Sequence, residues 1–162
     1  MLGFGIKKRR SFDEKLILNF KVANDLGLAA GLDKNGDYID SLAALGFGFL
    51  EIGTVTPKAQ PGNRKPRLFR IKSAKALINE MGFNNKGVDY LASKLRRRKT
   101  KIPIGVSIGK NFDTPNELAH KDYIFCLDRI YEFADYLAIN ISSPNTKGLR
   151  DLETEQELDS LL

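Results

Sequence analysis

Polar side chains with chemistry to offer recur at intervals along this chain: Asp33 and Lys34, then Thr54, then Ser107 and Lys110, then Asn140, Ser142, Ser143 and Asn145. Each group follows a short apolar run. Taken alone, a lysine such as Lys34 reads as a surface residue. The preceding run from Leu28 to Asp33 contains Ala29, Ala30 and Gly31, small residues that would let a flat ligand approach the backbone, and this favours a ligand-facing cation. The stretch Asn140-Ile-Ser-Ser-Pro-Asn145 reads either as part of a site or as a turn whose side chains bond their own backbone. Ser143 has no partner for a hydrolase triad, because His120 is the only histidine and falls in a predicted helix away from that loop. Cys126, the only cysteine, sits in the same helical pattern and reads as a small core residue. One cysteine and one histidine leave no multi-cysteine or paired-histidine motif, so no metal is expected.

Elements must bring these residues together. Apolar runs rich in β-formers read as strands at residues 15–22, ahead of a turn at Asn24-Asp25, and at 26–30, 48–53, 67–71, 102–108 and 136–141. Helical periods cover about residues 37–45 with Ile39, Leu42 and Ala43 on one face, and 86–98 with Val88, Leu91, Ala92 and Leu95. A third spans about 116–134 and aligns Leu127, Ile130, Tyr131 and Ala134, and residues 153–162 open another. Four core strands, each followed by a helix, imply parallel pairing through right-handed crossovers. Two architectures fit: an open doubly wound sheet, or the first half of a closed barrel. The dinucleotide fingerprint fails, since Gly46-Phe47-Gly48 is followed by Phe49, Leu50 and Glu51 without a third glycine in place. The phosphate-loop pattern fails too, with Asp37 where a lysine is needed after Gly36. Polar groups just beyond each strand match the place where barrel enzymes keep their active sites.

A whole eight-fold barrel needs about 250 residues, and this chain has 162. Charged residues make up 28% and apolar residues 42%, a globular balance that excludes disordered and fibrous classes. No run approaches the roughly 18 apolar residues of a spanning helix. The N-terminal charges follow a very short apolar start, the wrong order for a secretory signal, so a cytoplasmic protein is expected. Net charge is +6 with a pI near 9.4. The cations gather at residues 7–10 (KKRR) and in the run Lys94, Arg96, Arg97, Arg98, Lys99, Lys101. The second cluster falls at a helix C-terminus, where the dipole favours it, and no RNA-binding aromatic signature or helix-turn-helix accompanies it, so no nucleic acid is expected.

Several longer motifs then carry a resemblance. GLAAGLDKNG (27–36), ALGFGFLEIGTVTPKAQPGNRKPRLFR (44–70), INEMGFNNKG (78–87), SIGKN (107–111) and NISSPNTKGLR (140–150), in this order, resemble the N-terminal half of the dihydroorotate dehydrogenase family. The resemblance implies a tail at residues 1–14 and, over 15–162, an N-terminal β-hairpin with about the first four units of an α/β fold, a partial (β/α)8 TIM barrel. It implies oxidation of dihydroorotate to orotate in pyrimidine synthesis, with FMN as cofactor. Ser143 falls where the quinone-using class has its serine base, so quinone is the implied acceptor and the inner face of the cell membrane the implied location of the full-length enzyme. Matching positions make Lys34 a contact of both substrate and flavin. Asn79, Met81, Gly82, Phe83, Asn140 and Asn145 would surround the substrate, and Ala30, Gly31, Thr54, Ser107 and Asn140 would line the flavin. Ser107 departs from the asparagine usual in this class, yet can still donate one hydrogen bond. The resemblance also implies a missing second half and a missing N-terminal helical domain. An incomplete chain would then self-associate, pair with the other half, or persist only as an assembly partner without activity. A related flavoenzyme reducing other pyrimidines fits INEMGFNN and NISSPNT less well.

Overall fold

The computed structural model describes residues 15–17, 20–146 and 148–154. The implied tail at residues 1–14, its basic cluster, and all but the first two residues of the helix read at 153–162 lie outside them. Residues 15–22 form two short strands instead of one: β1 (Lys15–Ile17) pairs antiparallel with β2 (Phe20–Val22). A parallel sheet follows, built from β3 (Gly27–Leu28), β4 (Phe49–Val55), β7 (Ile104–Ile108) and β8 (Tyr136–Ile139) in the spatial order β3-β4-β7-β8. Between them run α1 (Ile39–Ala44), α2 (Val88–Arg97) and α3 (Ala119–Ile130). Spatial order equals chain order, so every crossover steps the same way along the sheet. A doubly wound sheet reverses direction at a switch point; this one does not, and it is the first part of a barrel.

The parallel register divides the sheet into two faces. Leu50 stands beside Ile104 and Ile52 beside Val106, which in turn stands beside Leu137. This aliphatic face packs on the helices, and Leu50, Ile52, Ile104 and Val106 are fully buried. Glu51, Gly105 and Tyr136 share the other face. A Cβ on Gly105 would meet the Tyr136 ring at 2.0 Å, so glycine there makes room for the aromatic ring. The Tyr136 hydroxyl donates to the Glu51 carboxylate at 3.0 Å, and Phe20 from the hairpin stacks against the same ring with centroids 6.0 Å apart.

The α2 period is as read: Val88, Leu91, Ala92 and Leu95 are buried, and Lys94, Arg96 and Arg97 occupy the last turn. The long helix read at 116–134 is a 3-10 turn (Asn116–Leu118), then α3, then a second 3-10 turn (Tyr131–Phe133). Its buried face also differs. Ala119, Tyr123, Cys126 and Ile130 face the core, while Leu127 and Tyr131 face solvent, because the buried stripe of α3 runs back from Ile130 through Cys126 and Tyr123 and not through Leu127. The Cys126 thiol is pushed up to about 12 by burial, which suits its place in the core. One pairing was absent from the sequence reading: β5 (Leu68–Ile71) pairs antiparallel with β6 (Ala76–Asn79), a hairpin inserted between β4 and α2 with both strands exposed. Residues 149–153 form a further 3-10 turn.

Ile130 is wholly buried and Tyr131 is 73% exposed. Chemical denaturation should therefore find Ile130→Ala destabilised by about 2–5 kcal/mol and Tyr131→Ala within about 0.5 kcal/mol of the parent. Equal losses would contradict the assigned face.

Candidate functional site

The C-terminal ends of the parallel strands carry the polar residues. The loop after β3 is tied to β4 by its backbone: Gly31 N–H donates to Gly53 O at 2.8 Å, and Gly53 N–H to Asp33 O at 3.2 Å. The Asp33 carboxylate is buried and accepts the N–H groups of Asp37 (3.0 Å) and Tyr38 (2.8 Å), so it shapes the turn into α1. Lys34 follows it. Burial, and secondarily the charge of Arg67, hold its ammonium below the usual lysine range. The turn is fastened to α2 as well. Asp37 accepts from the Tyr90 hydroxyl at 2.6 Å and pairs with Lys86 (2.9 Å) and Lys94 (3.0 Å), and these partners hold its carboxyl far below the usual range.

Three expected residues meet directly. Thr54 Oγ1 and Ser107 Oγ are 2.8 Å apart, and Asn140 Nδ2 donates to Thr54 Oγ1 at 2.9 Å. Whichever hydroxyl donates to the other, one hydroxyl hydrogen of the pair is left over for a further acceptor. Asn140 is pinned through its backbone, its N–H to Ile108 O at 2.8 Å and its carbonyl to the Tyr123 hydroxyl at 3.1 Å.

A second group assembles across long sequence distances. Asn145 Nδ2 reaches Asn79 O at 3.2 Å and Asn79 Oδ1 at 3.4 Å, joining the end of β6 to the loop after β8. Ser143, half-buried, accepts the Asn145 N–H on Oγ at 3.3 Å. The self-bonded turn and the site reading of this loop are thus compatible. Phe83 is only 5% exposed. Its ring and the Thr54 methyl both lie 3.0 Å from where a Cβ on Gly109 would sit. Gly31 has nothing within 4 Å of its own Cβ position. Among the described residues no hydrogen bond joins Lys34 to the asparagine group, and Lys110, buried and donating to Thr114 O at 2.8 Å, belongs to the loop after β7 instead.

Sequence reasoning passed over several residues that complete this layer. Asn63 Nδ2 donates to Asn145 O at 3.4 Å, and Arg67 holds Pro61 O and Asn63 O at 2.6 and 2.9 Å. Asn85 and Asn111 lie inside quoted motifs, but no spacing singled them out. The Thr146 hydroxyl, buried three residues beyond Ser143, has no hydrogen-bond partner among the described residues.

Comparison with known proteins decides the family. A family profile described as dihydroorotate dehydrogenase matches residues 14–162. The chain belongs to the dihydroorotate dehydrogenase family. A relative from Psychrobacter arcticus described as dihydroorotate dehydrogenase (quinone) is 61% identical over 145 residues, which are 90% of this chain and 42% of that protein. One from Coxiella burnetii (strain Dugway 5J108-111) with the same description is 56% identical over 158 residues, 96% of this chain and 46% of the relative. The crystal structure of dihydroorotate dehydrogenase from Eimeria tenella in complex with ferulenol superposes with a TM-score of 0.87 at 41% identity, covering 99% of this chain and 44% of that one. The chain spans under half the length of these relatives, and its fold is the corresponding part of the family's barrel. Among the described residues no helix is long and apolar enough to cross a membrane, and no group of metal-ligating side chains assembles.

Thr54→Val keeps the shape and removes the shared oxygen, leaving Asn140 and Ser107 short of a partner. Denaturant unfolding should show a loss of about 1–3 kcal/mol, whereas Ser142→Ala, at an exposed hydroxyl, should stay within about 0.5 kcal/mol.

Proposed function

We propose that this chain supplies one half of the active site of a flavin-dependent dihydroorotate dehydrogenase, which oxidises dihydroorotate to orotate and passes the electrons to a quinone. The observation that carries this reading is the meeting, at the strand ends of a family member, of Thr54, Ser107 and Asn140 beside the Asn79–Asn145 pair and Ser143.

The residues present fit a flavin ring. Gly31 leaves open space where a side chain would stand, and the Thr54–Ser107 pair keeps one hydroxyl hydrogen for an acceptor on the ring edge. Ala30, Gly31, Lys34, Thr54, Ser107 and Asn140 would hold FMN. FMN supplies, when bound, the acceptor for the hydride that leaves C6 of dihydroorotate.

The remaining chemistry belongs to the protein. Asn79, Asn140 and Asn145 are amides that donate and accept, as a pyrimidine ring does. Met81, Gly82 and Phe83 form the wall beside them. Lys34 holds the substrate carboxylate with a half-buried cation. Ser143 Oγ receives the C5 proton and gives up its own hydroxyl proton, while the C5–H electron pair becomes the C5=C6 double bond. The Asn145 N–H at Ser143 Oγ stabilises charge developing on that oxygen, and a water bridging to the buried, unpartnered Thr146 hydroxyl would give the released proton a route away. The quinone as acceptor, and peripheral contact with the membrane that dissolves it, are supported by the description of the similar relatives as dihydroorotate dehydrogenase (quinone).

Two tests apply to an enzyme of full family length bearing this sequence. Ser143→Ala should slow flavin reduction by dihydroorotate about 10²- to 10⁴-fold in stopped-flow absorbance, with orotate affinity little changed; an unaltered rate removes Ser143 as the base. Orotate binding followed against pH should weaken on the alkaline side as Lys34 loses its proton. An anion binds the charged form, and burial lowers the Lys34 pKa, so the loss begins below the ordinary lysine range. Lys34→Gln should bind weakly at neutral pH and lack that alkaline limb.

A further inference from the structure

The substrate wall runs through left-handed backbone at two successive residues, Gly82 (φ 67°) and Phe83 (φ 51°). A phenylalanine keeps such a conformation only where its surroundings hold it. Three successive carbonyls are held. Asn63 N–H donates to Met81 O at 3.1 Å, Gln60 Nε2 to Gly82 O at 3.0 Å, and Asn85 Nδ2 to Phe83 O at 2.7 Å. In a trans peptide the C=O and N–H point opposite ways, so the N–H groups of Gly82, Phe83 and Asn84 are turned away from these donors. Glycine crosses between backbone regions at little cost, and a cavity of about 640 Å³ lined by Gln60, Asn63, Gly82 and Asn111 gives water access to the same place.

The Gln60 amide can present only one end to Gly82. Its Oε1 accepts both Asn111 Nδ2 (2.8 Å) and Phe112 N–H (3.0 Å), which leaves Nε2 for the carbonyl. Asn111 is itself fixed: its Oδ1 accepts Lys58 N–H at 3.0 Å, its Nδ2 reaches Lys58 O at 2.9 Å, and its N–H donates to Asp122 at 2.8 Å. The Gln60 backbone exchanges two hydrogen bonds of 3.0 Å with Asn85. The loop after β7 therefore sets the orientation of one amide, and that amide sets a peptide of the substrate wall.

We propose that Gln60 is a positioning residue for substrate binding: aimed by Asn111 and Phe112, its side chain fixes the Gly82 peptide and so the direction of the N–H groups of residues 82–84. The inference rests on the dihydroorotate dehydrogenase reading. Gln60 acts through Gly82 and need not touch the ligand.

The test uses the flavin-loaded enzyme of full family length. Gln60→Glu keeps the acceptor for Asn111 and Phe112 but sets an oxygen against Gly82 O, and Gln60→Leu removes both ends. Both variants should raise the KM for dihydroorotate and the Kd for orotate about tenfold, with kcat at saturation and flavin content close to the parent's; Gln60→Glu, which keeps the bonds to Asn111 and Phe112, should also keep an unfolding midpoint near the parent's, while Gln60→Leu, which loses all three, should lower it. Parental KM and Kd in Gln60→Glu would overturn the proposal. Loss of flavin content and stability in Gln60→Glu in proportion to the affinity loss would also overturn it, since Gln60 would then serve the fold alone. A parent that binds flavin yet fails to oxidise dihydroorotate overturns the functional reading itself, and this proposal with it.

Discussion

In a parallel sheet the strands all end on the same side, and the residues that lie level with one another there are chosen by register alone. Gly53 stands beside Ser107, and Ser107 beside Ala138. Thr54 and Asn140 lie just beyond that line, close enough for one hydroxyl to bond both neighbours. A slip of one residue in β4 would turn Ile52 off the helix face and move Thr54 out of reach of Ser107. Fully buried Leu50, Ile52, Ile104 and Val106 oppose that slip, so apolar packing on one face fixes polar geometry at the end of the other.

The loops that follow are aligned by a different kind of bond. Side-chain amides reach across 22 to 82 residues of sequence to backbone and to each other: Gln60 to Gly82, Asn111 to Lys58, Asn145 to Asn79, Asn63 to Asn145. Loops leave backbone donors and acceptors without ladder partners. An amide can satisfy one of each at once, which a hydroxyl or a charged group does less evenly. This explains why so much of the layer above the strands is asparagine and glutamine.

What the sequence revealed followed the same division. Elements that bury an apolar stripe were legible: Val88, Leu91, Ala92 and Leu95 of α2, and the β-rich runs of β4 and β7, declare themselves by period and composition. Elements without a buried face were legible by composition alone, as β5 was at residues 67–71, or not at all. Ala76–Asn79 forms β6 with all its residues exposed, so no alternation marks it. α3 misled because Ile130 belongs to two apolar stripes, and the true one uses Tyr123 and Cys126, residues that weigh less in a hydrophobic count than Leu127. At the site, residues that follow a strand could be anticipated from position. Gln60, Asn85 and Asn111 could not, since their partners lie in other loops and polar contacts leave no period.

Charge is distributed unevenly around Lys34. Asp33, beside Lys34 in sequence, directs its carboxylate to the N–H groups of Asp37 and Tyr38, and Asp37 pairs with Lys86 and Lys94 on α2. Neither acid stands among the influences on Lys34, which are burial and the like charge of Arg67. Thr54, Ser107, Asn79, Asn140 and Asn145, which meet at the strand ends and the loops above them, are neutral amides and hydroxyls, and nearby Arg67 adds a second cation, so none of these neutralises Lys34. Among the described residues no carboxylate pairs with Lys34, and a half-buried ammonium without one is relieved by an anion. Under the proposed function that anion is the substrate carboxylate, and the amides of Asn79, Asn140 and Asn145 are left to read the polar edge of the ring.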